Sequence, residues 1–306
     1  MLEKIKENRW YIYQKERFPI LMYIPMIAAF SFSAVSYSSI VRNGTVSFAS
    51  FLVSFITSFS VFMLLRIADE HKDYEEDCTY RPYRPVPRGL VKLKELTIIA
   101  AFLLAIQAVC GFLLSPTMLL ILLVLWIYYF SMSKEFFCSK WLKKHPVPYM
   151  ISHMFIMPLL DFYATACDFV PNKSFYIAPM VLWFISSSYF DGMIVEVGRK
   201  MRATEDEEYG VETYSFLWGR WKSVMIWVGA MAISMISSFV ATSQIGAMIP
   251  TILILTPTFA LCATCAIQYA KKPTSKNSKR LELLSGVWTI IDYSALGILP
   301  LLARIL

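Results

Sequence analysis

Apolar residues run along this chain in blocks of about twenty, separated by shorter polar stretches. Blocks of that length, without the alternation of a half-buried strand, match helices long enough to cross the hydrocarbon core of a bilayer. Nine can be placed, at about 20–41, 46–66, 96–114, 117–132, 147–168, 174–197, 222–242, 246–270 and 283–304. The third and fourth are joined only by Ser115-Pro116, a tight turn. Proline also interrupts other blocks (Pro25, Pro158, Pro179, Pro250, Pro257), where neighbouring helices can satisfy the freed carbonyls. The pattern predicts an all-α, multi-pass membrane protein, nine transmembrane helices in one bundle, with a single domain over 1–306.

Composition agrees: 57% of the 306 residues are hydrophobic and 17% charged, below the roughly 25% charged of soluble domains. The first 18 residues are charged and aromatic with no apolar core, so the first span is expected to act as its own insertion signal. The net charge of +7 would suit nucleic acid if it formed one basic face, but it is sorted by loop instead. With the N-terminus inside, segments 1–19, 66–95, 133–146, 198–222 and 271–282 carry 26 of the 29 Lys and Arg; Arg42, Lys173 and Arg304 are the exceptions. That asymmetry places the N-terminus and every long loop in the cytoplasm and the C-terminus outside. A lipid bilayer is the expected surrounding, and no nucleic-acid partner is expected. The Cys262/Cys265 pair lies within a span with no His nearby and reads as packing.

Candidate chemistry sits in two of the cytoplasmic loops. In the first, after span 2, Asp69, Asp73 and Asp77 are spaced i, i+4, i+8. A continuing helix would put them on one face, drifting by about 40° per step. Three like charges on one face repel one another unless a cation neutralises them, and hard oxygen ligands suit Mg²⁺. Arg81, Arg84 and Arg88 follow, interleaved with Pro82, Pro85 and Pro87, which predict an extended, stiff loop. Metal ions bridge carboxylates to a diphosphate while arginine forks take its remaining oxygens. The alternative is a solvated loop whose charges pair off.

The second constellation begins near the end of span 6 with Asp191 and Glu196 and continues into the loop with Arg199, Lys200 and Arg202, then Glu205, Asp206, Glu207 and Glu208. Glu196 either pairs with Arg199 or Lys200 at the helix end or joins a second metal and phosphate half-site. The two loops share a layout four spans apart, which hints at repeated four-helix units meeting over one cavity. Tyr128, Tyr129 and Lys134, at the end of span 4, fit an interfacial belt or a phosphate contact.

These features resemble the UbiA superfamily of intramembrane prenyltransferases. Asp69, Asp73 and Asp77 look like its N-x-x-x-D-x-x-x-D motif with Asp in place of Asn, Arg84-Pro85 and Pro87 like its NRP-x-P segment, and Tyr129 and Lys134 like its Tyr…Lys element. The second motif aligns as Arg202, Asp206, Gly210 and Thr213, so Arg202 stands where the first Asp is usual. The resemblance implies a bundle around a lipid-accessible cavity and Mg²⁺-dependent ionisation of an isoprenyl diphosphate. Asp69, Asp73, Asp77 and Asp206 would be catalytic metal ligands, joined by Glu205 or Glu196. Arg81, Arg84, Arg88, Lys134, Arg199, Lys200 and Arg202 would hold the diphosphate. The expected activity is prenyl transfer to a lipophilic, aromatic acceptor. Cyclisation without an acceptor is the alternative, and an ion or lipid transporter a remote one.

Overall fold

The computed structural model describes residues 8–305, so the first seven residues and the last of the expected 1–306 domain lie outside it. The described residues are all-helical. A short helix, α1 (Arg9–Arg17), is followed by α2 (Ile20–Val41), α3 (Phe48–Lys72), α4 (Tyr74–Tyr80), α5 (Leu93–Leu114) and α6 (Met118–Ser133). Next come α7 (Ser139–Lys144), α8 (Pro146–Met154), α9 (Ile156–Phe169) and α10 (Leu182–Arg199). The last are α11 (Tyr214–Trp218), α12 (Arg220–Ser243), α13 (Met248–Lys271), α14 (Ser275–Tyr293) and α15 (Leu299–Ile305).

Seven of these helical stretches, α8 and α9 counting as one and α14 and α15 as another, are long and apolar enough to cross a membrane. The other two predicted spans are also helical but shorter or more polar: α6 has 16 residues, and α10 has 18 and contains Asp191 and Glu196. Three boundaries differ from the expectation. The block at 147–168 is broken between α8 and α9 because the ring of Pro158 crowds the carbonyl four residues earlier, at Met154. The block at 174–197 becomes helical only at Leu182, after Pro179 and a short 3₁₀ turn at Phe175–Ile177. The last span passes through a π-helical turn at Ser294–Ile298, where Gly297 lies so close to α2 that a Cβ would meet the Ser33 carbonyl at 2.4 Å.

Small polar residues hold the bundle together, as expected where lipid supplies no hydrophobic drive between helices. Ser187 of α10 contacts Ser234 and Ser238 of α12 at 3.2 and 2.7 Å. One end is closed by an ion pair: Arg42 donates to both oxygens of the fully buried Asp168 at 2.9 and 3.1 Å, and Ser38 adds a third bond. This explains an exception to the charge sorting, since Arg42 is neutralised by Asp168 at its position. At the other end the bundle is hollow.

Candidate active site

The hollow is a cavity of about 1210 Å³ whose walls follow helical periodicity. Tyr23, Met26, Ile27 and Phe30 line it from α2, and Phe62, Leu65, Arg66, Asp69 and Lys72 from α3. From α10 come Gly192, Val195, Glu196 and Arg199. Residues three and four apart share a helix face, so each helix presents a single stripe. Those stripes run from apolar at the bundle centre to charged at the mouth.

At the mouth, α3 ends at Asp73, whose N–H still bonds to the Asp69 carbonyl at 2.9 Å, and Asp77 N–H in turn bonds to Asp73. The helical drift nevertheless separates the three carboxylates. Asp69 and Asp73 line the cavity, whereas Asp77 is buried behind it, accepting from Arg84 at 2.7 Å and paired with Arg81 at 2.6 Å. Arg81 and Arg84 do reach the cavity. Asp77 therefore orients two cavity arginines. The proline-rich loop is not extended as expected: it folds into successive turns, with Arg84 N–H bonded to Arg81 and Arg88 N–H to Arg84. Proline's fixed φ suits such turns as well as extended chain. Arg88 is turned outward to Glu16 at 3.0 Å.

Between the two cavity carboxylates lies Lys72, 3.7 Å from Asp69 and 4.0 Å from Asp73, with its ammonium donating to the Tyr149 hydroxyl at 2.8 Å. Burial pushes the Asp73 carboxyl above its usual range, against the opposing pull of Lys72. Opposite, Glu196 accepts from Arg199 at 2.6 Å and Lys200 at 2.9 Å, and all three side chains line the cavity. The predicted helix-end ion pair is present, and it stands on the cavity wall.

The second loop folds over the mouth and touches the first. Gly210, at φ +77°, packs so tightly on Tyr80 that a Cβ would come within 2.6 Å of the ring, and the Tyr83 hydroxyl donates to Glu208 at 3.0 Å. Glu207, Glu208 and Glu212 line the cavity. Arg202, Glu205 and Asp206 do not: Glu205 accepts from the Ser275 N–H, and the Arg202 backbone is held by Ser215 and Tyr269. Lys134 caps α6 on the exposed side, while Tyr128 and Tyr129 donate to the backbone carbonyls of Ser152 and Leu64.

A model of the UbiA prenyltransferase family matches residues 24–287. The chain belongs to that family. Among solved structures, the apo structure of a UbiA homolog from Aeropyrum pernix K1 is 15% identical, with a TM-score of 0.66, covering 92% of this chain and 98% of that one. A digeranylgeranylglyceryl phosphate synthase structure is 17% identical, with a TM-score of 0.56 and the same coverage. At these identities the likeness establishes the fold. No curated protein sequence matches the chain.

This UbiA-family fold also brings in residues that sequence reasoning missed. Arg17, Arg66, Lys72 and Lys143 join the cavity's cations. Lys143 arrives because Glu135, Phe136 and Phe137 all adopt positive φ (49°, 51° and 58°), reversing the chain after α6. For Arg66 and Lys72 a signal existed: both fall on the face of α3 that carries Asp69. Among the described residues no group of three His, Cys, Asp or Glu side chains stands ready to hold a metal alone. Mg²⁺ is commonly held by one or two carboxylates plus substrate phosphates, and Asp69 and Asp73 fit that demand. The second-motif residues Asp206 and Glu205 do not reach the cavity to contribute.

Proposed function

We propose that this chain is a Mg²⁺-dependent, integral-membrane prenyltransferase that ionises an isoprenyl diphosphate, releases pyrophosphate and transfers the prenyl group to a lipophilic, aromatic acceptor. The observation that carries this reading is one continuous cavity with a charged mouth and an apolar floor. The mouth carries Asp69 and Asp73, with further glutamates, among several cations; the floor includes Met26, Ile27, Phe30, Ile156 and Met157. A phosphate head and a hydrocarbon tail are the two halves of a ligand matching that gradient. The excess of Lys and Arg on the loops at this end supports a mouth that opens to the cytoplasm.

Asp69 and Asp73 would hold Mg²⁺, whose bound charge polarises the phosphate oxygens. Arg81 and Arg84, fixed by Asp77, and Arg199 and Lys200, fixed by Glu196, supply positive charge from opposite walls. Such preorganised charge stabilises pyrophosphate as it leaves. Arg199 and Lys200 occupy the wall from which a second acidic motif would act, so on this side cations would meet the diphosphate beside the glutamates of the second loop. The apolar floor excludes water from the allylic cation, and the faces of aromatic side chains such as Phe30 and Tyr293 stabilise it without attacking it.

The test is purified protein in lipid nanodiscs given C10, C15 and C20 diphosphates, each with Mg²⁺ or with chelator, reading pyrophosphate release. Release that requires Mg²⁺ and is lost in Asp73→Ala supports the reading. Metal-independent function with no pyrophosphate release sinks it in favour of transport.

A further inference from the structure

Lys72 is the last residue of α3, and its side chain enters the cavity between the two carboxylates assigned above to Mg²⁺. The ammonium lies 3.7 Å from Asp69 Oδ1 and 4.0 Å from Asp73 Oδ1. Those separations are too long for hydrogen bonds, so it neutralises the carboxylates while leaving N–H donors free. Its bond to the Tyr149 hydroxyl, at 2.8 Å, holds it there, with the ring centre 5.5 Å away. Tyr149 is itself fixed on α8, stacked on His153 with ring centres 3.9 Å apart. Asp69 has a second cation in Arg66, at 3.5 Å, and Glu76 nearby is paired with Lys143 at 2.7 Å. The chain's own cations therefore balance the carboxylates of this wall. Asp69 and Asp73 cannot gather a dication without bringing it beside the Lys72 ammonium, and like charges repel strongly in a half-buried site. For a diphosphate the sign is opposite, because the ammonium attracts its oxygens and has donors left to offer them.

We propose that Lys72 sets the order in which this site loads: it opposes Mg²⁺ arriving alone and favours a diphosphate that arrives with Mg²⁺, so that metal and diphosphate bind cooperatively. The inference rests on the diphosphate reading above. Lys72 is a positioning residue, a tethered counter-charge that keeps Asp69 and Asp73 from repelling each other until the diphosphate brings its own negative charge. The tether matters as much as the charge, since an ammonium free to swing away would leave the two carboxylates open to the bare ion. Coupling between two ligands is reciprocal, so whatever weakens Mg²⁺ alone also enlarges the gain in Mg²⁺ affinity that a bound diphosphate gives.

The experiment is isothermal titration of nanodisc-embedded protein with Mg²⁺ alone and with magnesium pyrophosphate. Compared with wild type, Lys72→Met is expected to bind Mg²⁺ alone on the order of tenfold more tightly, and magnesium pyrophosphate no more tightly. Lys72→Arg keeps the charge and should stay within about threefold of wild type for Mg²⁺ alone. Tyr149→Phe keeps the charge but removes the tether, and should tighten Mg²⁺ alone by about threefold. The proposal is overturned if folded Lys72→Met, judged by its thermal melt, binds Mg²⁺ alone no more tightly than wild type. It is also overturned if magnesium pyrophosphate tightens in step with Mg²⁺, or if Lys72→Arg tightens Mg²⁺ as much as Lys72→Met does. If Lys72→Met does not fold, Tyr149→Phe decides, and an unchanged or weaker Mg²⁺ affinity there overturns the proposal. Wild type that binds magnesium pyrophosphate, with a Mg²⁺ affinity indifferent to Lys72, defeats this inference alone. Wild type that does not bind magnesium pyrophosphate defeats the diphosphate reading and this inference with it.

Discussion

The Tyr83 hydroxyl donates a hydrogen bond to Glu208 at 3.0 Å, joining two loops that are 125 residues apart in sequence. Both residues are exposed, so the bond contributes modestly to stability and mainly fixes the second loop over the cavity mouth. Tyr83→Phe is expected to raise KM for the diphosphate about threefold, in keeping with roughly 0.5–1.5 kcal/mol for one hydrogen bond, with the melting temperature nearly unchanged. Steady-state pyrophosphate release and a thermal melt check it together.

Asp77 is expected to act through its arginines. Asp77→Asn removes the charge that pairs Arg81 at 2.6 Å and Arg84 at 2.7 Å. Pyrophosphate should then bind about tenfold more weakly, while Mg²⁺ affinity of the free protein changes little, since Asp69 and Asp73 keep their places. Isothermal titration with each ligand separates the two effects. A parallel loss of Mg²⁺ affinity would mean that Asp77 is a metal ligand after all.

Arg42→Ala leaves Asp168 buried without its cation. Removing one partner of a buried pair costs about 3–5 kcal/mol. A large drop in melting temperature in detergent is expected, with unchanged pyrophosphate release per folded molecule, because Arg42 is at the bundle end away from the cavity.

Orientation can be read from two thiols. Cys78, on the short helix α4, and Cys138, between α6 and α7, are exposed, whereas Cys167, Cys262 and Cys265 are buried. A membrane-impermeant maleimide is expected to label Cys78 and Cys138 in inside-out vesicles and to leave them unlabelled in right-side-out vesicles. The reverse pattern would invert the assigned topology.

Helix positions were largely legible because a bilayer imposes one length and one polarity on every span. The register of Asp69 and Asp73 was legible for a related reason: a single helix face can be counted from spacing alone. Asp77 was harder, since its small angular drift from Asp73 decides between facing the cavity and facing two arginines. The place of Lys143 could not be read at all. Three consecutive non-glycine residues in the left-handed region leave no compositional mark, so the nearer Lys134 looked like the better candidate. In the second loop, spacing favoured Arg202 and Asp206, but the end of α10 put Glu196, Arg199 and Lys200 on the wall. The bond from Trp288 to Asp191 joins two helices 97 residues apart, which no local pattern reveals.

Helix α1 precedes the first span, yet it is tied down by residues made much later. Arg9 bonds to Glu95, Glu16 to Arg88, and Arg17, which lines the cavity, to Glu70. The separations are 86, 72 and 53 residues. The first described helix to leave the ribosome therefore waits without its partners until two spans and a polar loop have been synthesised. Contacts of that range form slowly. The mouth of the cavity is closed on this side only after α5 has begun to insert, so a bulky fusion at the N-terminus should delay site assembly more than insertion of the spans.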